Sequence, residues 1–323
     1  MDNIIVFSLT SSKKLTAQIC DILGIEEGKI AVNHFADGEI LVEPQESVRG
    51  RHVFIIQSTC GPVNDHLMEV LICLDAVKRA SCKEVTCVIP YYGYARQDRK
   101  ARARQPITSR LVADLLQAAG ADRVVSVDLH APQIQGYFKI PSDNLTAVDM
   151  MGQYFRQKKL KDVVIVSPDH GGATRARNMA NCIENSTIAI VDKRRNQPNV
   201  AEALNLIGDV NGKDCIIVDD LVDTGGSLMG CIKMLKDHGA NDIYCAATHG
   251  VFSNNAIERI KESEIKEFVI TNTIERTTEE LADADNITVL SVALLLAKSI
   301  EAIATSKPVS NVYGLFHADQ NCD

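Results

Sequence analysis

The chain alternates short apolar runs, rich in β-branched residues, with stretches of helical periodicity, and this alternation limits the possible folds more than any other feature. Ten runs predict buried strands: Ile4 to Phe7, Val53 to Ile56, Val85 to Ile89, Val124 to Val127, Val163 to Val166, Ile188 to Val191, Ile216 to Val218, Ile243 to Ala247, Phe268 to Ile270 and Ile287 to Leu290. Helical patterns lie between many of them, as in the segment that ends at Gly24. Strands that alternate with helices form mostly parallel sheets flanked by helices, so we expect an α/β fold.

The alternation occurs twice, which predicts two similar domains. A turn-rich connector at Lys139 to Asn144 separates the two series and precedes a predicted helix at Ala147 to Phe155. A length of 323 residues also fits two domains. We therefore divide the chain into residues 1–145 and 146–323, and leave open whether the C-terminal tail packs back on the first domain. Ligands of such sheets bind beyond the carboxyl ends of the strands, so the polar residues that follow each strand are the candidate ligand-binding residues.

Charge and composition exclude several classes of partner. Lys and Arg number 34 against 42 Asp and Glu, a net charge of −8, whereas binding to nucleic acids or anionic membranes requires a basic surface. No apolar run approaches the roughly 18 residues of a membrane span. The ten cysteines are scattered and form no CxxC pair, which is typical of structural thiols in a reducing cytosol. We expect a cytoplasmic protein that binds polyanions only at local basic sites.

One segment combines an acidic pair with a turn that can bind phosphate. The predicted strand at Ile216 to Val218 is followed by Asp219 and Asp220, and then by the turn Asp223-Thr224-Gly225-Gly226-Ser227, which opens a helix. Such a turn can direct backbone N–H groups at a phosphate, assisted by the helix dipole. The carboxylates suit sugar hydroxyls or Mg²⁺. A sugar phosphate fits both features, and the structural alternative is a strand with an acidic N-cap.

A second segment repeats the order of strand, acid, glycine pair and helix. The loop Asp169-His170-Gly171-Gly172 follows the run at Val163 to Val166, and its glycines permit close approach to an anion. Asp169 offers the hard oxygen ligand that Mg²⁺ prefers, although a capped Gly-Gly turn explains the same residues structurally. His130, which ends the predicted strand from Val124, is either a metal ligand or a satisfied core group.

Two basic segments locally reverse the acidic charge. Lys193, Arg194 and Arg195 follow the predicted strand at Ile188 to Val191, and five basic residues lie between Arg96 and Arg104. The first is equally consistent with a solvated loop, and the tyrosines beside the second leave RNA binding as a minor alternative. Residues 33–40 contain an aromatic ring and carboxylates that suit adenine, although an Asp-Gly hairpin also explains them.

Together these segments resemble class I ribose-phosphate pyrophosphokinases (PRPP synthetases), and the resemblance extends from Ile4 to Ser310. It implies two phosphoribosyltransferase-type domains and the transfer of the pyrophosphoryl group of Mg-ATP to the 1-hydroxyl of ribose 5-phosphate. The products would be 5-phosphoribosyl 1-diphosphate (PRPP) and AMP, for nucleotide biosynthesis. The chain has no GxxxxGK[ST] loop and no kinase HRD and DFG pair, so we expect ATP at a different kind of site.

The resemblance also implies a role for individual residues. Contacts to ATP fall to Phe35, Asp37, Gly38, Glu39, Arg96 and Gln97. The implied ligands of Mg²⁺ are His130 and Asp169. The residues implied to bind pyrophosphate are Asp169, His170, Gly171 and Gly172. Ribose 5-phosphate falls to Arg195, Asp219, Asp220, Asp223, Thr224, Gly225, Gly226 and Ser227. Lys193 and Arg195 would stabilise the charge that develops during transfer, a catalytic contribution of about 10²- to 10³-fold each.

Regulation and assembly are implied in the same way. Phosphate and ADP, the expected effectors, would bind at Ser47, Arg49, Lys100, Arg102, Arg104, Gln135, Asp143, Asn144 and Ser310. In the family, the segment that corresponds to Phe35 to Glu39 recognises ATP bound by an adjacent subunit. A homo-oligomer with shared active sites, usually a hexamer, is therefore expected. The C-terminus departs from the family's Ser-Val-Ser pattern, because Pro308 replaces the first serine and removes an N–H donor, so we expect altered effector affinity.

Two other functions remain possible from the sequence. A phosphoribosyltransferase shares the Asp219 to Ser227 loop, but it uses PRPP as a substrate and needs neither a second α/β domain nor an adenine segment. A regulatory subunit of PRPP synthetase would have disrupted catalytic segments, whereas the residues expected to catalyse and bind are all present. Formation of AMP from ATP and ribose 5-phosphate distinguishes the three.

Overall fold

The computed structural model describes residues 3–194, 203–312 and 314–316, and it divides into two compact units. The first unit takes in the chain up to Thr146 together with residues 273–275 and 291–315. The second takes in residues 147–272 and 276–290. Residues 291–315, which we expected in the C-terminal domain, group with the first unit.

Strands and helices alternate through both units. The strands are β1 (Ile4–Ser8), β2 (Ile30–His34), β3 (Ile40–Pro44), β4 (His52–Ile56), β5 (Glu84–Ile89), β6 (Arg123–Val127), β7 (Ser142–Leu145), β8 (Val164–Ser167), β9 (Thr187–Arg194), β10 (Ala203–Ile207), β11 (Cys215–Val222), β12 (Ile243–Gly250), β13 (Ile265–Thr271) and β14 (Ile287–Leu290). The α-helices are α1 (Lys13–Leu23), α2 (Val63–Arg79), α3 (Thr108–Ala119), α4 (Val148–Gln157), α5 (Ala173–Asn181), α6 (Gly226–Asp237), α7 (Ala256–Lys261) and α8 (Ala293–Ala304). Short 3₁₀ helices span Pro132–Tyr137 and Val309–Val312.

The first unit contains a five-stranded sheet in the order β1-β4-β5-β6-β7, in which every neighbouring pair is parallel. Alternate residues such as Phe7, Ile55 and Cys87 are buried on one face, where they pack with Leu74 of α2 and Leu116 of α3. An antiparallel hairpin, β2–β3, lies against α2 through β3. Helix α8 packs against α1, which accounts for the grouping of the C-terminal segment with this unit.

The second unit contains a seven-stranded sheet in the order β10-β9-β8-β11-β12-β13-β14. All of its neighbouring pairs are parallel except β9 and β10. Ile217, Cys245 and Phe268 lie in a core that also includes Leu235 of α6 and Ile260 of α7. The carboxyl ends of the parallel strands β8 and β11 are neighbours, so the segments that follow them start from the same edge of the sheet.

The α/β class and the mostly parallel sheets are confirmed, and all ten predicted strands are present. Three of the wrongly predicted strand ends concern candidate site residues. Strand β6 stops at Val127, because Asp128 adopts φ 42°, so His130 lies beyond the strand. Strands β9 and β11 instead continue past their apolar runs, because backbone pairing extends them to Arg194 and Val222. Polar β7 overlaps the segment from Lys139 to Asn144, which we expected to be only a connector.

None of the described helices is long and apolar enough to cross a membrane. None of the nine described cysteines forms a disulfide, and most of them are buried, as expected for structural thiols. Burial raises the pKa of Cys20, Cys87 and Cys215 to about 12, so these thiols carry little thiolate at neutral pH.

Candidate active site

The acidic pair lies inside strand β11 and not after it. Asp219 pairs in register with Ala247 of β12, and Leu221 and Val222 continue the ladder with His249 and Gly250. The Asp220 side chain is 6% exposed and that of Asp219 is 33% exposed.

Arg175 of helix α5 joins the two carboxylates. Its Nη1 lies 3.2 Å from Asp219 Oδ1, and its Nη2 lies 3.2 Å from Asp220 Oδ1. Burial and the charge of Asp220 nevertheless raise the pKa of Asp219 to about 8, although Arg175 acts in the opposite direction. One guanidinium therefore fixes the separation and orientation of both acids.

Arg175 is not among the site residues predicted from the sequence. The only indication in the sequence is a basic residue one helical turn after the Gly171-Gly172 pair. Its two partners lie more than forty positions further along the chain, at a separation of 44 residues for Asp219. Only the neighbouring placement of β8 and β11 brings them into contact.

The turn after β11 forms the wall of a cavity. Gly225 has φ +76°, a left-handed conformation that strongly favours glycine, and α6 begins at the next residue. The cavity has a volume of about 200 Å³. Its lining consists of Pro168, Asp169, Ile217, Asp219, Leu221, Val222, Asp223, Thr224, Gly225, Gly226, Ser227, Leu228 and Cys245. The fold thus brings Asp169 of one predicted loop together with the acidic strand and the turn of the other.

The loop after β8 is held by its own polar groups. Asp169 Oδ1 accepts a hydrogen bond from Gly172 N at 3.0 Å, and Ser167 Oγ donates to the Asp169 carbonyl at 2.6 Å. Asp169 and His170 are exposed. His170 Nε2 lies 2.9 Å from Asp192 Oδ1, so this loop contacts strand β9 directly before Lys193.

The predicted catalytic cations are only partly described. The backbone of Lys193 lies in β9, opposite Leu204 of β10. Arg195 lies outside the described residues. The solvated-loop alternative does not hold for Lys193 and Arg194, because the antiparallel pairing of β9 with β10 continues the strand through both residues.

The predicted adenine segment is the tip of the β2–β3 hairpin. Phe35 is 55% exposed, and its N–H donates to the Glu39 carbonyl at 2.8 Å. Gly38, at φ +94°, donates to the Phe35 carbonyl, and the Asp37 carboxylate accepts from Glu39 N at 3.2 Å. The hairpin alternative is therefore correct for the backbone, and the same geometry exposes the ring and both acidic side chains.

The predicted ATP segment after β5 is anchored at both ends. Tyr92 donates its hydroxyl proton to the Ser109 carbonyl, and Gln97 Oε1 accepts from Thr108 Oγ1 at 2.5 Å. Asp98, which the sequence analysis did not select, is buried and accepts from Gln133 Nε2 at 2.8 Å. Arg96, like Gln97, is exposed at the surface of the first unit.

The predicted effector residues lie in separate segments of the first unit. Ser47, Arg49, Lys100, Arg102, Arg104 and Ser310 are exposed, and Gln135, Asp143 and Asn144 are half-buried. Three of them have structural partners: Asp143 pairs with Arg123 at 2.5 Å, Asn144 Oδ1 accepts from Leu129 N at 2.9 Å, and Gln135 Nε2 donates to the Pro132 carbonyl at 3.3 Å. Pro308 precedes the 3₁₀ turn that contains Ser310.

The two predicted magnesium ligands, His130 and Asp169, are both exposed and lie in different units. Within the described ranges, no group of three or more His, Cys, Asp or Glu side chains is arranged as a metal site. The Gly172 N–H donates to Oδ1 of Asp169 and not to Oδ2, and a carboxylate oxygen fits a cation that prefers carboxylate and water ligands.

Two family models match this chain. The N-terminal domain of ribose phosphate pyrophosphokinase matches residues 4–120, and the phosphoribosyl synthetase-associated domain matches residues 171–314. A ribose-phosphate pyrophosphokinase of Caldanaerobacter subterraneus subsp. tengcongensis is 56% identical over 309 residues, which cover 95% of this chain and 97% of the relative. The one from Bacillus subtilis is 50% identical over 311 residues, with coverage of 96% and 97%.

A solved structure is similar over nearly the same length. The phosphoribosylpyrophosphate synthetase from Mycobacterium smegmatis has 42% sequence identity and a TM-score of 0.89. The match covers 94% of this chain and 99% of that one.

Proposed function

We propose that the cavity at the ends of β8 and β11 is the active site of this protein. The chain belongs to the ribose-phosphate pyrophosphokinase family, and it forms PRPP and AMP from ATP and ribose 5-phosphate. One observation supports this assignment above the others. A single cavity is lined both by Asp169, from the predicted pyrophosphate loop, and by residues 219–227, from the predicted ribose 5-phosphate loop. The acceptor and the transferred group would therefore meet in it.

Ribose 5-phosphate would bind across the turn after β11. The backbone N–H groups of Thr224 to Ser227 would donate to its 5-phosphate, at the N-terminus of α6. Asp219 and Asp220 would accept hydrogen bonds from ribose hydroxyls, and Arg175 would keep the two carboxylates in place. The 1-hydroxyl is then held as an oriented nucleophile, which is a large part of catalysis in phosphoryl transfer.

Mg²⁺ is the proposed cofactor, with Asp169 and His130 as protein ligands. The hard carboxylate oxygen and the exposure of both side chains fit an ion that keeps most of its waters. When bound, the ion supplies positive charge that offsets the charge of the phosphates. His170, Gly171 and Gly172 would line the path of the pyrophosphate, with Asp169 fixed by Gly172 N.

Lys193 and Arg195 are the proposed catalytic residues. The 1-hydroxyl would attack the β-phosphorus of ATP in line and release AMP, while the two cations stabilise the charge on the transferring and leaving groups. Arg195 would also contact ribose 5-phosphate. The bond between His170 and Asp192 supports this assignment, because it connects the pyrophosphate loop to the strand that contains Lys193.

The first domain would supply the nucleotide and effector contacts. The exposed ring of Phe35 can stack on adenine, and Asp37 and Glu39 can accept from its amino group. An exposed hairpin tip suits a site completed by a neighbouring subunit, which supports the proposed homo-oligomer, with a hexamer as the expected form. Phosphate and ADP are the proposed effectors at the segments named above. The described cysteines form no disulfides, which supports the proposed cytoplasmic location.

A coupled assay for AMP, run with and without ribose 5-phosphate, tests the reaction directly. We expect AMP formation that requires both ATP and ribose 5-phosphate, with stoichiometric PRPP. Consumption of PRPP with a nitrogenous base, in place of its formation, would instead identify a phosphoribosyltransferase. Failure of the pure chain to form PRPP would favour a regulatory subunit.

The substitution Lys193→Ala tests the proposed catalytic role. We expect kcat to fall by about 10²- to 10³-fold, with little change in either KM, because the cation would act mainly in the transition state. Lys213→Ala, which removes an i,i+4 pair with exposed Asp209, is the matched control and should leave kcat unchanged. Near-normal turnover of the Lys193 variant contradicts the role.

A further inference from the structure

The turn after β11 is braced by the segment 251–259. The Val222 carbonyl accepts from Val251 N at 2.9 Å and from Phe252 N at 3.1 Å. The Asp223 carbonyl accepts from Ser253 N at 3.1 Å. The next carbonyl, that of Thr224, accepts from Nη1 of Arg259 at 2.8 Å. Three successive carbonyls are therefore held from one side.

This bracing determines where the corresponding N–H groups point. A trans peptide is planar, and its C=O and N–H point in opposite directions. The peptide that contains the Thr224 carbonyl also contains the N–H of Gly225, which must point away from Arg259. Within the described part of the chain, no acceptor is recorded for the N–H groups of Thr224 to Ser227, and these residues line the cavity. The brace thus leaves a row of donors available to an anion.

Arg259 differs from the other braces because it is a charged side chain. It lies in α7, which is anchored by the buried residues Ala256 and Ile260. No carboxylate partner of Arg259 is recorded in the described ranges, so its positive charge is not offset by an ion pair. A guanidinium that donates to a carbonyl polarises that peptide and strengthens the N–H at its other end as a donor.

Arg276 holds the start of the same brace. Its Nη2 donates to the carbonyls of Gly250 at 2.6 Å and Val251 at 2.5 Å, and its guanidinium lies 5.5 Å from the centroid of the Phe252 ring. Arg276 also pairs with Glu280 at 3.3 Å, and its side chain is only 13% exposed. It is therefore a structural anchor whose removal would disturb the fold, whereas exposed Arg259 contacts the turn itself.

We infer that Arg259 is a positioning residue for the 5-phosphate of the acceptor sugar. It holds the Thr224 carbonyl, directs the N–H of Gly225 into the cavity and places a positive charge behind the turn. It acts through the backbone and makes no contact with the reacting atoms. This inference rests on the proposed function, because it takes the ligand of the turn to be ribose 5-phosphate.

The substitution Arg259→Met tests the inference by separating the two substrates. We expect the KM for ribose 5-phosphate to rise about tenfold, the value for a lost charge-assisted hydrogen bond, with kcat and the KM for ATP within about twofold of wild type. Arg259→Lys retains the positive charge and one hydrogen-bond donor. The rise in its KM for ribose 5-phosphate, on a logarithmic scale, should therefore be at most half of that in Arg259→Met. Lys261→Met removes a cation from the same helix that does not contact the turn, and it should change neither KM.

The outcomes separate the inference from the function on which it rests. An unchanged KM for ribose 5-phosphate in folded Arg259→Met overturns the positioning role while leaving the function intact. An equal effect of Lys261→Met also overturns it, because general electrostatic attraction would then explain the result. If wild type forms no AMP from ribose 5-phosphate, the proposed function fails as well. Urea unfolding of each variant identifies any loss of fold. If Arg259→Met does not fold, the KM of Arg259→Lys for ribose 5-phosphate tests the inference in its place.

Discussion

The loops after β8 and β11 share one sequence pattern but use their glycines for different reasons. Gly225 has φ +76° and open space around it, so its requirement is conformational. Gly172 has ordinary helical dihedrals, but a Cβ there would lie 2.7 Å from Ser167 Oγ, so its requirement is steric. A Gly-Gly pair after a strand therefore predicts positions that exclude a Cβ without revealing whether the restriction is conformational or steric.

The acids of the two loops differ as well. Asp169 is exposed and bound only to its own loop, whereas Asp220 is buried and tied to Arg175. The first arrangement leaves a carboxylate available to an ion from solvent, and the second preorganises a pair of acceptors. We expect substitutions near β11 to have larger effects than those near β8, and four predictions test this difference.

The largest effect is expected from Arg175→Met. It leaves two adjacent carboxylates, one of them buried, without their cation, which should lower the free energy of unfolding by about 3 kcal/mol. Binding of ribose 5-phosphate should weaken by at least about tenfold because the acids lose their orientation. Urea unfolding and the KM for ribose 5-phosphate are the measurements. Arg177→Met, an exposed change on the same helix, is the control. Equal effects of the two substitutions would contradict the proposed role of Arg175 in holding Asp219 and Asp220.

The two glycines should respond differently to alanine. Gly225→Ala forces a left-handed backbone on a residue with a Cβ, at a cost of about 1–2 kcal/mol that no neighbouring truncation relieves. Gly172→Ala meets the Ser167 hydroxyl, so adding Ser167→Ala should recover part of the loss. A double-mutant cycle by urea unfolding measures this coupling, expected at about 1 kcal/mol in favour of the double variant. Strict additivity at Gly172 would show that the restriction is not steric.

A smaller effect concerns pH. The folded state raises the pKa of Asp219 through burial and the charge of Asp220, so it holds that proton more tightly than the unfolded chain does. The stability that this protonation contributes is present below the ordinary carboxyl range and is lost as pH rises towards the raised pKa. Asp219→Asn should remove this dependence of the free energy of unfolding on pH. The free energy of unfolding of the variant, relative to that of wild type, should therefore rise between about pH 5 and about pH 9. A constant difference in urea unfolding across this range would contradict the assignment.

The smallest effect is expected from His170→Ala. Its contact with Asp192 joins an exposed imidazole to a carboxylate, and such pairs contribute less than about 1 kcal/mol. The midpoint of urea unfolding should barely move. A loss as large as that of Arg175→Met would show that the β8 loop is organised as tightly as the β11 loop.

Much of the fold could be predicted because its determinants are local. The apolar runs located all ten predicted strands, and Gly24 correctly marked the end of α1. The polar strand β7 was missed because it has no apolar run, and its pairing with β6 is what makes it a strand. The end of β11 was misjudged for a similar reason, since Asp219 and Asp220 are kept in the strand by the ladder with β12.

For the site, the sequence by itself determined which residues follow the buried strands: the acidic pair, the glycine turns and the basic segments. These depend on periodicity and turn chemistry, which operate over a few residues. Only the tertiary structure decided that Arg175 joins Asp219 to Asp220, 44 positions away, and that Arg259 holds Thr224, 35 positions away. Such contacts depend on the order of strands in the sheet and on the packing of helices, which no local pattern specifies.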